Sequence, residues 1–217
     1  MTPDRFWDGP ECKRAFDVVV ASLGLLVLWP LLLMGWVAAT ASTGENGWFV
    51  QQRVGRGGRP FDVYKLRTMR SSPNGGSFVT VRGDARITPV GAWLRAWKLD
   101  ELPQLVNVVK GDMSFVGPRP DVPGFADALE GDAREILTVR PGITSPATLK
   151  YRDEEEILAR RSDPETYNAD VIFPDKVRMN LDYVRTRTLA GDLRIILDTL
   201  RRRSPAHSGE HSPESTS

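Results

Sequence analysis

The chain has 217 residues, with 29 Lys and Arg against 28 Asp and Glu, one cysteine and two histidines. That length suits one compact domain plus an appendage, and the formal net charge of +1 argues against a nucleic-acid partner. Cys12 alone excludes an intramolecular disulfide and suits a reducing compartment, while His207 and His211 both fall in a tail that reads as disordered. Ser-His-Asp, Cys-His and Cys/His-zinc chemistries are thereby excluded, which leaves Asp, Glu, Lys or Tyr and, for any metal, a hard cation held by oxygen.

The first feature in chain order is "VVVASLGLLVLWPLLLMGWVAATAST", Val18 to Thr43, which carries no charge. It is long enough to cross a bilayer, and it is too long to be a signal peptide. Pro30 sits in its middle, where it removes a backbone donor and clashes with the preceding turn. The piece from Phe16 to Trp29 would reach roughly 21 Å, short of the ~30 Å hydrocarbon core. Basic residues flank both ends: Lys13 and Arg14 before, then Arg53, Arg56, Arg59, Lys65 and Arg67 after. Positive-inside logic places both flanks in the cytoplasm. Two readings stand: a spanning helix kinked at Pro30, or a re-entrant helix–break–helix that turns at Trp29–Pro30.

"WFVQQ" and "FDVYKLRTM" are strand-like, and "RVGRGGR" between them reads as the loop of a small β-hairpin. Ser71 to Thr88 is Gly/Ser-rich and reads as a mobile loop. "PVGAWLRAWKLDELPQLVNVVKGD" gives two helices, the second opened by Asp100–Glu101, with Pro103 in its first turn and Leu102, Leu105, Val106 and Val109 as an apolar stripe. Trp93 and Trp97 suit either a membrane interface or ordinary core packing. Phe125 to Thr144 reads as a helix followed by a constrained loop, "YRDEEEILAR" as a charged helix, and Pro174 to Arg203 as two helices broken at Ala190–Gly191. The last of these is amphipathic, with Leu193, Ile196, Leu197 and Leu200 set against Arg194 and Arg201 to Arg203.

Acidic residues in a first turn are usually there for the helix dipole. The surroundings of Asp100–Glu101 point further, to Arg95, to Arg119 in "GPRP", to Arg140 in "RPGIT", and to Lys65 and Arg67 in "YKLRTM". Proline-restrained guanidiniums suit bidentate phosphate binding. Adjacent carboxylates suit Mg²⁺, which takes one or two carboxylates plus substrate phosphates, and a carboxylate is also a nucleophile toward phosphorus. The combination predicts a diphosphate-handling site at a membrane surface. No GxxxxGK[ST] loop and no kinase motif set occurs, which argues against nucleoside triphosphate hydrolysis.

"KRAFD", the apolar run broken at Pro30, "QRVGRGGRPFDVYKLRTM", "LDELPQLVNVVKGDMSFVGPRP" and "RPGIT" occur in order. On these pieces the chain resembles the bacterial sugar transferases, the small monotopic phosphoglycosyl transferases, over nearly its whole length. The resemblance implies transfer of a sugar-1-phosphate from a nucleoside diphosphate sugar, usually a uridine diphosphate sugar, to a polyprenol phosphate, with release of the nucleoside monophosphate. It implies the inner membrane of a bacterium, a monotopic anchor, phospholipid contact on the cytoplasmic face and the first membrane step of lipid-linked glycan assembly such as exopolysaccharide. It implies Asp100 as the nucleophile that forms a covalent phosphosugar intermediate, and Glu101 as a partner in Mg²⁺ binding or proton handling. Lys65, Arg95, Arg119 and Arg140 fall on the family's basic positions, and Arg67 is grouped with them as a substrate-binding candidate; Asp100 and Glu101 together are the metal candidates. The first helix is expected to be re-entrant.

Three departures matter. Trp29 stands where the family often has Ser before the proline. "RPGITSPATLKYRDEEEIL" replaces the usual "RPGITGWAQVNGR" continuation, which bears on sugar identity. No multi-helix segment precedes the apolar run, as in a minimal catalytic unit. The expected fold is α+β and mostly helical: a re-entrant membrane helix at 1–43, a cytosolic catalytic domain with a small β-hairpin and amphipathic interfacial helices at 44–203, and a disordered tail at 204–217. A membrane-anchored adaptor without activity and a nucleotide-sugar hydrolase are the competing functions. A homodimer at the membrane face is compatible with the sequence but is pinned to no residue.

Overall fold

The computed structural model describes residues 9–71 and 84–201. Most of the Gly/Ser-rich stretch, together with Arg202, Arg203, both histidines and the tail, lies outside the described residues. The long first helix α1 (Pro10–Thr43) starts with proline in its first turn and stops at Gly44, whose left-handed backbone (φ 75°) lets its N–H reach the Thr40 carbonyl at 2.9 Å. At 1.5 Å per residue its 34 residues extend about 51 Å. It is long and apolar enough to cross a membrane.

The backbone stays helical through Trp29 and Pro30, where the sequence suggests a break. A proline inside a helix forfeits one hydrogen bond, here to the Leu26 carbonyl, and leucine-rich flanks favour the helix on both sides. One stripe of α1 is covered along its length: Asp17, Ala21, Leu32, Gly35, Ala39 and Thr43 are buried, and Leu25 and Leu28 are half-buried between them. Ala21, Leu25 and Leu28 pack with Leu105 and Val108, whereas Ala39 packs with Leu66 and Leu94. A side chain at Gly35 would stand 2.7 Å from the Leu66 Cδ1, so glycine sets how closely α1 approaches the body. Both halves of α1 therefore lie on the same folded body. The opposite stripe is bare, with Leu26 and Val27 each 71% exposed and Trp29 58% exposed.

Strands β1 (Trp48–Val54) and β2 (Pro60–Leu66) form the expected antiparallel hairpin, in register from Trp48 opposite Leu66 to Val54 opposite Pro60. Helix α2 (Pro89–Ala96) is capped by the Thr88 hydroxyl, which accepts the Gly91 N–H at 2.9 Å. Trp93 and Trp97 are exposed rather than packed in the core. Helix α3 (Gln104–Lys110) follows, and Asn107 ties it to β2: its Oδ1 accepts the Tyr64 N–H at 3.1 Å and its amide donates to the Asp62 carbonyl at 2.7 Å.

Two short strands, β3 (Ser114–Val116) and β4 (Gly142–Thr144), pair in parallel, which the sequence reading did not anticipate. Gly117 and Gly142 make this possible, because a Cβ on Gly142 would stand 2.1 Å from the Gly117 N. The "GPRP" and "RPGIT" loops are thus joined backbone to backbone, with Gly142 N–H donating to the Pro118 carbonyl at 2.9 Å. The helix expected after Phe125 is instead two 3₁₀ turns, Ala126–Ala128 and Gly131–Thr138. Short helices α4 (Pro146–Lys150), α5 (Glu154–Ala159) and α6 (Pro164–Tyr167) lead through a π turn, Asn168–Ile172, into α7 (Phe173–Thr186). The final helix α8 (Leu189–Arg201) already includes Ala190 and Gly191; the break falls at Arg187–Thr188, where the Thr188 hydroxyl accepts the Gly191 N–H at 3.1 Å. Leu193, Leu197 and Leu200 are exposed along α8.

Replacing fully buried Asn107 with alanine leaves one backbone donor and one backbone acceptor of β2 unpaired. Asn107→Ala is expected to cost about 2–4 kcal/mol, measured by denaturation of the detergent-purified protein.

Candidate active site

Asp100 and Glu101 do not open α3. They sit in a separate 3₁₀ turn, Leu99–Glu101, wedged between α2 and α3, with Pro103 as the residue before α3. The chain enters that turn through Lys98, the one non-glycine residue with positive φ (54°) among the described residues. An L-residue in that conformation costs roughly 1–2 kcal/mol, a local strain held by the tertiary packing on either side. Both carboxylates are buried, Asp100 at 8% and Glu101 at 9% exposure.

The two acids divide the cations unequally. Glu101 Oε1 receives Lys65 Nζ at 3.4 Å and an ion pair from Arg119 Nη2, while Oε2 receives Arg119 Nη1 at 3.4 Å. Asp100 Oδ1 is buried and has no hydrogen-bond partner. Lys65 comes from β2, and Arg119 comes from the loop that the β3–β4 pairing holds in place. Arg95, from α2, is ion-paired to Glu155 and reaches Asp100 only through its field.

Two of the basic candidates lie elsewhere. Arg67 pairs with Glu45 at 3.1 Å, donates to the Asn46 carbonyl at 2.8 Å and covers the Phe49 ring, where it fastens the base of the β-hairpin. Arg140 donates its Nε–H to the Gly111 carbonyl at 2.8 Å, beside Arg14 and Arg56. Conversely, the sequence reading missed Arg53, whose guanidinium reaches the Pro120 carbonyl at 3.4 Å, and Asp121, one residue past "GPRP". It also missed Lys176, paired with Glu154 at 2.6 Å. In sequence Arg53 reads as the first residue of the hairpin loop and as one of the basic residues flanking the apolar run, whereas it belongs to β1.

Burial pushes the Asp100 carboxyl up to about 6; the Glu101 charge adds to this, and Lys65, Lys98 and Arg95 offset part of it. Glu101 is buried too, yet Arg119 and Lys65 hold it well below the usual carboxylate range. Lys65 is lowered by burial despite the Glu101 charge, and Arg119 is raised by Glu101. Asp121 is pushed up to about 6, again by burial. The site thus holds one firmly ionised acid, Glu101, beside one whose charge is poorly compensated, Asp100.

The sign of the linkage follows. A carboxyl raised to about 6 in the folded state favours folding most when protonated, and loses that contribution as pH rises from about 4 through about 6. The ionised form of Asp100 therefore costs about 2–3 kcal/mol at neutral pH. Asp100→Asn is expected to match the wild type near pH 4 and to become progressively more stable than it up to pH 7. Paired denaturation curves across that range check this.

The sequence pattern of bacterial sugar transferases matches residues 9–204. The UDP-glucose:undecaprenyl-phosphate glucose-1-phosphate transferase of Caulobacter vibrioides is 38% identical over 192 residues, 87% of this chain and 68% of that protein. The exopolysaccharide production protein ExoY of Rhizobium meliloti is 32% identical over 88% of this chain and 85% of its own length. The UDP-N-acetylgalactosamine-undecaprenyl-phosphate N-acetylgalactosaminephosphotransferase of Aeromonas hydrophila is 32% identical over 87% of this chain, which spans 43% of that larger protein. With its dyad, its basic partners and its long apolar helix in place, the chain belongs to the bacterial sugar transferase family.

Proposed function

We propose that this protein transfers a sugar-1-phosphate from a nucleoside diphosphate sugar, of the UDP-sugar class that its relatives are named for, to undecaprenyl phosphate. The observation that carries the proposal is the unpartnered, buried Oδ1 of Asp100 beside a glutamate already neutralised by Lys65 and Arg119. A carboxylate stripped of water and hydrogen bonds is a stronger nucleophile than a solvated one.

In the first step Asp100 attacks the sugar-bearing phosphorus. One P–O bond forms to its carboxylate, the phosphoanhydride bond breaks, and the nucleoside monophosphate leaves with the electron pair. In the second step an oxygen of undecaprenyl phosphate attacks the same phosphorus and the Asp100 carboxylate leaves, so no net proton is consumed. Lys65 and Arg119 offset charge on the transferring group and Arg53 extends that basic wall. Mg²⁺ fits the dyad: Asp100 Oδ1 is free, Glu101 Oε2 has only one long contact, and both are hard oxygens. Bound there with the diphosphate, it would neutralise charge on the leaving group.

The membrane reading rests on α1 and α8. Both halves of α1 pack on one body and its other stripe is bare, which supports a helix laid with that bare stripe, around Leu26, Val27 and Trp29, against the cytoplasmic leaflet and with both of its ends on the cytoplasmic side. Exposed Trp93, Trp97 and the leucines of α8 suit the interface around it.

Incubation with a panel of UDP-sugars, Mg²⁺ and undecaprenyl phosphate is expected to release uridine monophosphate with one sugar, and only when lipid is present. Asp100→Asn is expected to lower turnover at least about a thousandfold without loss of fold. Free sugar phosphate in place of a lipid product would instead identify a hydrolase. Since only ionised Asp100 attacks, the wild-type rate is expected to fall on acidification as Asp100 becomes protonated, a loss read from the pH–rate profile. For topology, an impermeant thiol reagent is expected to reach native Cys12 and an engineered Asn46→Cys from the same, cytoplasmic side; labelling from opposite sides would establish a spanning helix.

A further inference from the structure

A second basic centre lies apart from the dyad. The first turns of α1 and α8 converge there on the β1–β2 turn and the start of β4, around an open cavity of about 100 Å³. Lys13, Arg14, Arg56, Arg140 and Arg187 reach its wall. The acids on the same wall are already engaged. Asp192 is ion-paired to Lys13 and accepts the Tyr183 hydroxyl at 2.7 Å; Asp17 is buried and takes the Phe115 N–H at 3.3 Å. Arg14 and Arg140 spend part of their donor capacity on the end of α3, on the carbonyls of Val108, Val109 and Gly111. Arg56 makes no ion pair among the described residues and is exposed. Arg140 is lowered by burial and then by the neighbouring Arg14 and Arg56 charges, with only Asp17 acting the other way. Several guanidiniums held together against their mutual repulsion, with donors to spare, form a receptor for an anion with several oxygens.

The position selects the source of that anion. Within three turns of Lys13 along α1 the exposed apolar residues include Val19, Val20 and Leu23, and along α8 after Asp192 they are Leu193, Leu197 and Leu200, with Arg194 exposed between them. The cavity therefore opens where two bare apolar rows begin, at the depth of lipid headgroups. We propose that it is an anion site that seats the phosphate of an anionic phospholipid headgroup on Arg56, Arg140 and Arg187 and so fixes the depth of α1 and α8. The proposal rests on the membrane placement of α1 and is independent of the chemistry of Asp100.

The test titrates the detergent-purified full chain with dihexanoyl-phosphatidylglycerol, and in parallel with dihexanoyl-phosphatidylcholine and inorganic phosphate, following the thermal midpoint. Phosphatidylglycerol is expected to raise the midpoint saturably. Arg56→Gln and Arg187→Gln, whose side chains are exposed, are each expected to need about tenfold more of it. Asp100→Asn is expected to respond like the wild type even though turnover is lost, so failure of this site and failure of the transferase reading are separable. An unchanged response in both arginine variants would overturn the site. Inorganic phosphate acting as well as phosphatidylglycerol would overturn the lipid as its ligand.

Discussion

Everything near the catalytic turn depends on how Glu101 is held. A buried carboxylate is tolerable only when its charge is matched, and here the match comes from two elements distant in sequence: Lys65 on β2 and Arg119 on the loop after β3. The contact draws the β-hairpin, the 3₁₀ turn and the Gly-Pro-Arg-Pro loop to one point. It also absorbs the nearest positive charge, so Asp100 is left desolvated and with a free oxygen. Adjacent residues of similar chemistry thereby acquire opposite character, Glu101 held ionised by its cations and Asp100 raised by burial and left without a hydrogen-bond partner on Oδ1.

The supporting shell is built from close backbone approaches rather than from bulk. Gly117 and Gly142 let two proline-flanked loops pair in parallel, which fixes where Arg119 leaves the chain. Asn107 substitutes for a strand partner on β2, satisfying Asp62 and Tyr64 just upstream of Lys65. Arg14 and Arg140 close the far end of α3. Lys98, in the left-handed region, turns the chain sharply between α2 and the dyad. Each of these devices places a side chain by constraining main chain, which suits a site whose reacting groups must be preorganised.

Helix α1, long and apolar enough to cross a membrane, packs directly beside this site. Its covered stripe carries small residues, Ala21, Gly35 and Ala39, against Leu105, Leu66 and Leu94, so the apolar helix and the catalytic body meet at short range. It touches α3 and α2 most extensively, and also β1, β2, β3 and the 3₁₀ turn that carries the dyad.

Much of this was legible in one dimension. The uncharged run, the β-hairpin and the amphipathic last helix follow from local pattern, because periodicity and turn chemistry act over a few residues, and Asp100–Glu101, Lys65 and Arg119 could be picked out as candidates that the fold then brings together. What local pattern could not settle is which charges meet. Arg67 and Arg140 are as basic and as well placed in sequence as Lys65 and Arg119, but Glu45 and the Gly111 carbonyl claim them. Arg53 reads in sequence as part of the hairpin loop, and Asp121 falls one residue beyond the Gly-Pro-Arg-Pro motif. The helical path through Pro30 and the parallel β3–β4 pair were likewise decided by packing, which outweighs a single proline or a three-residue propensity. Sequence by itself determined which ionisable groups are available and where the long apolar helix lies, since those are properties of residue type. Only the tertiary structure decided which carboxylate is paired and which is left bare, because burial and charge compensation exist only once distant segments are brought together.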